Sequence, residues 1–147
     1  MNFQDTLLER TTEQREYLLA SPIIQRALAG DITRELYIAF LTQAYHHVRH
    51  TVPLMMAVGC RIPERLAWLQ HEILHYLAEE EGHEQWILND IEAAGGDRSA
   101  AASSRPDIAT DAMVAFAYDM IARRNPVGFF GIDRKSTRLN SSHPYRS

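Results

Sequence analysis

The sequence predicts an all-α protein, and two observations support that prediction. Apolar residues recur every three or four positions over most of the chain, as on a helix with one face toward a core, and no stretch keeps the alternation of a strand. Prolines, glycines and capping residues divide this pattern into segments of helical length. The 147 residues, 46% of them hydrophobic, are enough for one domain with a core.

The N-terminal third of the chain begins with two predicted helices. The first covers residues 4–20. Ser21 then provides an N-cap and Pro22 a first helical residue, so a second, short helix is expected to run to Ala29. Gly30 ends it, because glycine readily adopts the left-handed conformation that closes helices.

A third helix is expected to begin at Asp31 and to be kinked or broken at Pro53. Its apolar stripe consists of Tyr37, Phe40, Leu41, Ala44 and Val48. On a helical projection His47 lies about 70° from the centre of that stripe, at ~100° per residue. His46 and His50 fall on the far side, so His47 is the histidine expected to reach the interior.

A long central helix is predicted from Pro63 to Ala94, closed by Gly95 and Gly96. Its apolar stripe consists of Leu66, Leu69, Ile73, Leu77, Ile87 and Ile91. Glu80 falls near the centre of this stripe, as Glu84 does, and His83 lies at its edge. A carboxylate that points into a core is costly unless something pairs with it, and a metal ion is one such partner. Glu-x-x-His on a helix is also the ligand spacing of carboxylate-bridged di-iron bundles, so Glu80 and His83 are the candidate metal ligands.

The remaining helices are less regular. Residues 97–107 are interpreted as a polar loop, after which Asp107 or Thr110 caps a helix that ends before Pro126. A further helix is expected to begin at Val127.

The last sixteen residues do not fit this pattern. Residues 1–131 contain eleven Arg and no Lys, whereas Lys135 lies in a polar segment without helical period. Residues 133–143 match, residue for residue, the translation of a common sequencing-library adapter. We therefore interpret 1–131 as a truncated helical domain and 132–147 as an artefactual or disordered tail that does not belong to the fold.

Composition excludes several classes of function. Residues 1–131 carry a net charge of −7, which argues against nucleic acid as a partner. No apolar run reaches the ~20 residues of a membrane span, and no signal peptide is indicated. A single cysteine, Cys60, fits a reducing compartment, so a cytoplasmic protein is expected.

Histidines are concentrated in the middle of the chain, where six of the seven lie between positions 46 and 83. His71-Glu72-Ile-Leu-His75 has the His-Glu-x-x-His spacing of zinc proteases. No third ligand is evident for it, so it stays an alternative to the Glu80 and His83 pair.

Two segments together resemble a known family. Residues 41–53 (LTQAYHHVRHTVP) and the helix that contains Glu79-Glu-Glu-Gly-His83 and ends in Gly-Gly are similar to the haem-oxygenase-like superfamily. Within it they look most like the iron-containing redox enzymes, which are related to thiaminase II (TenA) and PQQ synthase (PqqC). The resemblance implies a seven-helix bundle, of which this chain holds the first four to five helices.

The resemblance also implies a non-haem di-iron site. Glu80 and His83 match two of the family's ligands, and the others, a Glu from the helix that begins near Phe129 and a His-x3-Asp-x2-His set, are absent from this chain. The site is therefore expected to be incomplete and the chain inactive as truncated. Tyr45, His47 and Tyr76 are expected to line the substrate pocket.

Three functions remain open after the resemblance. The first is an iron-dependent oxidoreductase that uses dioxygen on a small organic substrate. The second is a metal-free hydrolase or oxidase of the thiaminase or PQQ-synthase type, although Ala44 stands where thiaminases carry an Asp. The third is a non-enzymatic helical binding or regulatory module. A homodimer is left open, and no nucleic-acid or membrane partner is expected.

Overall fold

The computed structural model describes residues 2–132 of the chain. Every regular element in that range is helical, which confirms the predicted fold class. No helix among these residues combines the length and apolarity needed to cross a bilayer. The predicted tail lies outside the described residues, apart from Ile132.

Residues 2–37 form a first compact unit. Its helices are α1 (Phe3–Arg10), α2 (Thr12–Leu19) and α3 (Pro22–Leu28). The single helix predicted over 4–20 is thus interrupted at Thr11, whose hydroxyl donates to the Leu7 carbonyl oxygen at 2.7 Å. Ser21 is the extended N-cap before Pro22, as predicted. None of the described side chains of this unit is buried.

The second compact unit begins at Ile38 and contains the core. Its first helix, α4 (Arg34–Val48), begins four residues before that boundary. The other helices are α5 (Thr51–Gly59), α6 (Trp68–Glu80), α7 (His83–Ala93), α8 (Arg98–Ser103), α9 (Ile108–Asp119) and α10 (Phe129–Ile132). A 3-10 turn at Glu64–Leu66 precedes α6. A π-helical stretch, Met120–Arg124, and a 3-10 turn, Pro126–Gly128, join α9 to α10.

The central helix does not run unbroken from Pro63 to Ala94, so that prediction was wrong. Glu81 is extended and Gly82 has φ +86, so the backbone turns between α6 and α7. Glycine tolerates this left-handed conformation because it has no Cβ. The interruption changes the phase of the apolar pattern, and Leu88 is buried in α7 where Ile87 was expected.

Two smaller predictions were also wrong. The polar loop predicted over 97–107 contains the helix α8, because the Asp97 carboxylate accepts hydrogen bonds from the backbone N–H groups of Ser99 and Ala100. The third helix ends before Thr51, and Pro53 lies in the first turn of α5, where its missing N–H costs little.

The break at Gly82 assigns α6 and α7 to different parts of the core. The first core cluster, contributed by α5, α6, α9, the π-helical stretch and α10, contains Leu54, Met55, Val58, Ile73, Ala117, Ile121 and Phe129. The second core cluster, contributed by α4, α7 and α8, contains Leu41, Leu88, Ile91 and Ala101. Glu80 ends the helix of the first cluster and His83 begins the helix of the second.

Candidate metal centre

Glu80 is one of two buried polar side chains among the described residues, with 6% of its surface exposed. Its Oε2 accepts a hydrogen bond from His83 Nδ1 at 2.8 Å, whereas its Oε1 is buried without a hydrogen-bond partner. A buried carboxylate oxygen that lacks a partner is costly, and native proteins contain few of them. The burial predicted from the apolar stripe is therefore observed, and one oxygen is left for a ligand.

The local sequence explains how Glu80 and His83 meet. Glu80 is the last residue of α6 and His83 the first of α7, so the turn at Gly82 lies between them. Because His83 donates Nδ1–H to the carboxylate, its Nε2 is the basic nitrogen of the neutral ring. A histidine that binds a metal commonly donates its other N–H to a carboxylate in this way.

Trp86 covers the His83 ring and was not predicted as part of the site. The two ring centroids are 4.4 Å apart with planes inclined by 44°, and 61% of Trp86 is exposed. Its position three residues after His83, one helical turn away, was the available signal.

The histidines of α4 and of the segment after it do not lie as predicted. His46, expected on the far side of the helix, is buried, and His47, expected inside, is exposed. The predicted stripe was misplaced, because Tyr37 and Phe40 are exposed and the buried face of α4 centres on Leu41.

His46 joins α4 to the segment after α8. Its Nε2 lies 2.8 Å from Ser104 Oγ, and that hydroxyl donates its proton to the Ala101 carbonyl oxygen. His46 must therefore donate through Nε2–H, which its neutral ring can do. Burial, with a smaller contribution from the charge of Arg49, lowers the pKa of His46. This histidine is a structural link between elements.

The three residues predicted to line one pocket lie in different surroundings. His47 lines a cavity of about 150 Å³ together with Thr51, Leu54, Met113, Val114, Ala117 and Phe129. Tyr76 packs against the first core cluster and borders a second cavity. Tyr45 packs against the second core cluster, beneath the Arg49 guanidinium. None of the cavities described for residues 2–132 contains all three, and their role in binding substrate stays a prediction.

The zinc-protease spacing gains no support from the structure. His71, Glu72 and His75 are all exposed, and His75 pairs with Glu79 at 3.5 Å. Within residues 2–132, no three His, Cys, Asp or Glu side chains converge as a complete metal site would require. Glu80 and His83 are thus two donors without a third in the described part of the chain.

Comparison with known proteins decides the family. The family model described as iron-containing redox enzyme matches residues 38–133. The chain belongs to the iron-containing redox enzyme family. The match spans both core clusters together with Glu80 and His83. No curated protein matches the sequence significantly.

A solved structure supports the same conclusion about the fold. The chain is similar to the crystal structure of a domain of unknown function with a heme oxygenase-like fold from Shewanella denitrificans OS217, with 28% identity and a TM-score of 0.82. The similarity covers 96% of this chain and 61% of that one, so the chain spans about three fifths of the length of this relative. The haem-oxygenase-like resemblance is confirmed at the level of family and fold.

Proposed function

We propose that the chain is part of an iron-dependent oxidoreductase whose iron is held in part by Glu80 and His83. The observation that carries the proposal is the buried Glu80 Oε1, which has no hydrogen-bond partner. Carboxylate and imidazole are suitable ligands for ferrous iron, and a cation would offset the cost of burying the carboxylate. The residues present therefore fit an iron ion, although they supply only two of its ligands.

More specifically, we propose that the iron belongs to a non-haem di-iron site that uses dioxygen to oxidise a small organic substrate. Iron would supply the reaction with dioxygen. Glu80 would contribute negative charge from a buried position, where electrostatic attraction is stronger than in water. The hydrogen bond from His83 holds the carboxylate in place, and the Trp86 ring shields one face of the imidazole. The further ligands would come from outside residues 2–132.

An anaerobic ferrous titration tests this proposal, because the two tryptophans differ in their surroundings. Trp86 contacts His83, whereas Trp68 begins α6 and is 65% exposed. In the Trp68→Phe variant we expect saturable quenching of the remaining Trp86 fluorescence by Fe²⁺. The matched Trp86→Phe variant, which reports on Trp68, should respond only weakly and without saturation.

The dependence on Glu80 completes the test. Glu80→Gln in the Trp68→Phe background should weaken iron binding at least tenfold, since the amide cannot supply the negative charge. Glu79→Gln, which changes a neighbouring carboxylate that is 43% exposed, should leave the affinity for iron unchanged. If iron binds equally to the Glu80→Gln variant, Glu80 is not a ligand, and the metal-free hydrolase or the non-enzymatic module becomes the better hypothesis.

A further inference from the structure

The cavity beside His47 combines a buried apolar floor with two polar side chains. Its floor consists of buried apolar side chains, Leu54, Ala117 and Phe129. Two polar side chains, the exposed His47 and the half-buried Thr51, lie nearer its rim, where Met113 is 43% exposed. A molecule that fills it would therefore place an apolar part inward and a polar part outward.

The walls of this cavity are held by a hydrogen bond between side chains. His50 Nδ1 and the Tyr118 hydroxyl are 3.1 Å apart, and their rings meet edge to face at 5.8 Å. His50 adjoins Thr51 and Tyr118 adjoins Ala117, so the bond ties the start of α5 to α9 next to the cavity. The bond therefore links two of the helices that line the cavity.

Its size limits what it can accept. A dry cavity of about 150 Å³ lined by aliphatic and aromatic side chains accepts benzene in another protein, and the present cavity has the same volume. Two other cavities of the described residues are larger, about 290 and 420 Å³, and more open. The larger of them is almost wholly apolar, and the other is bordered by the exposed Glu72, His75 and Glu79.

The lining also indicates the charge of the ligand. Among the described residues no Lys or Arg lines the cavity, so a carboxylate bound there would lose hydration without gaining a permanently charged partner from them. The threonine hydroxyl and the histidine ring can each donate or accept a hydrogen bond. A neutral hydroxyl group suits this rim better than a carboxylate does.

We propose that this cavity binds a small neutral amphipathic molecule, a single ring or short alkyl group that carries one hydroxyl, with the hydroxyl at Thr51 and His47. The conclusion that this molecule is the substrate rests on the proposed iron-dependent function. Binding itself needs neither Glu80 nor His83, so the two proposals can fail separately.

The test uses three one-ring probes, benzyl alcohol, toluene and benzoate, titrated in EDTA and followed by NMR shifts of the protein. Benzyl alcohol should bind most tightly, because toluene lacks the hydroxyl and benzoate carries an uncompensated charge. Ala117→Leu, which fills the floor, should weaken benzyl alcohol at least tenfold. Ala115→Leu, the same change at an exposed position of the same helix, should leave binding unchanged.

The rim is tested with Thr51→Val, which removes the hydroxyl while nearly keeping the shape. Loss of one hydrogen bond of about 1 kcal/mol corresponds to about fivefold weaker binding of benzyl alcohol, with toluene unaffected. The proposal is overturned if toluene and benzyl alcohol bind equally to the unaltered protein, or if Thr51→Val weakens both probes alike. It is also overturned if no probe shifts the signals of the cavity residues. Because the titration is done in EDTA, these outcomes leave the iron proposal untouched.

Discussion

Replacing Glu80 with methionine should stabilise the chain when no metal is present. The carboxylate is 6% exposed and its Oε1 lacks a hydrogen-bond partner, so its burial opposes folding. Methionine is unbranched, similar in length and almost as favourable in a helix. A residue retained to bind a ligand commonly lowers the stability of the unliganded protein, and a residue retained for structure does not.

The size of the effect follows from the two oxygens of Glu80. A buried polar group without a partner costs about 1–3 kcal/mol, and removing Oε1 recovers that amount. Removing Oε2 breaks the 2.8 Å bond from His83, but 20% of the His83 side chain is exposed, so water can replace the carboxylate at small cost. We expect Glu80→Met to raise the free energy of unfolding by about 1–2 kcal/mol.

The assay is urea unfolding followed by circular dichroism in EDTA and again with excess ferrous iron under argon. In EDTA the variant should be more stable than the unaltered chain. Iron at a hundred times its dissociation constant should stabilise the unaltered chain by about 2.7 kcal/mol and leave the variant unchanged, so the order reverses. Glu79→Met, at an exposed neighbouring position, should change stability by less than about 0.5 kcal/mol in both conditions.

One result would refute this reasoning directly. If Glu80→Met lowers the stability in EDTA by more than about 1 kcal/mol, then the carboxylate contributes to folding through contacts of its own, and its burial no longer indicates a ligand site. Equal stabilisation of both proteins by iron would mean that the ion binds elsewhere.

Three further predictions concern the elements around the site. Gly96→Ala should destabilise by about 1–3 kcal/mol in urea unfolding, because its Cβ would lie 2.8 Å from Ile91 Cγ2 and 3.1 Å from the Ile91 carbonyl oxygen. Gly82→Ala should cost about 1–2 kcal/mol in the same measurement through its φ of +86 alone, since nothing lies within 4 Å of the added Cβ. Burial lowers the pKa of His46, so the unfolded chain takes up that proton first as the pH falls. The contribution of His46 to stability should be complete above the pKa of a histidine in the unfolded chain, about 6.5, and should be lost as the pH falls below that value. Thermal melts at a series of pH values measure this loss.

Each of these predictions has a matched control. Gly82→Asn should be milder than Gly82→Ala, because asparagine tolerates the left-handed conformation better, and equal costs would mean that the backbone adapts. Gly131→Ala, which also has open space around its Cβ but no positive φ, should be nearly neutral. In the His46→Gln variant the melting temperature should change less between pH 5 and 7 than it does in the unaltered chain. An unchanged pH dependence in that variant would assign it to other groups, such as His50, whose pKa burial also lowers.

The fold class and the burial of Glu80 could be predicted because both depend on local periodicity. A helical pattern of apolar residues needs only the sequence near it, and a carboxylate within that pattern is conspicuous. Glu80 and His83 are adjacent in space because they are adjacent in sequence, which makes their contact accessible to such reasoning.

The errors in placing the histidines of α4 have one physical cause, which is that the buried face of a helix depends on its neighbours. Ser104 supplies the hydrogen bond that makes the burial of His46 tolerable, and it lies 58 residues away. No periodicity within α4 could indicate that partner. The break at Gly82 was missed for a different reason, because a glycine within a helical pattern is often tolerated without a turn.

The turn at Gly82 has a consequence for how the second unit opens. Because α6 and α7 belong to different core clusters, hydrogen exchange should resolve two cooperative groups of amides, one for each cluster. An ion held by both Glu80 and His83 is lost when either group opens, so it would slow exchange in both groups together. Iron would then join two local unfolding units into one.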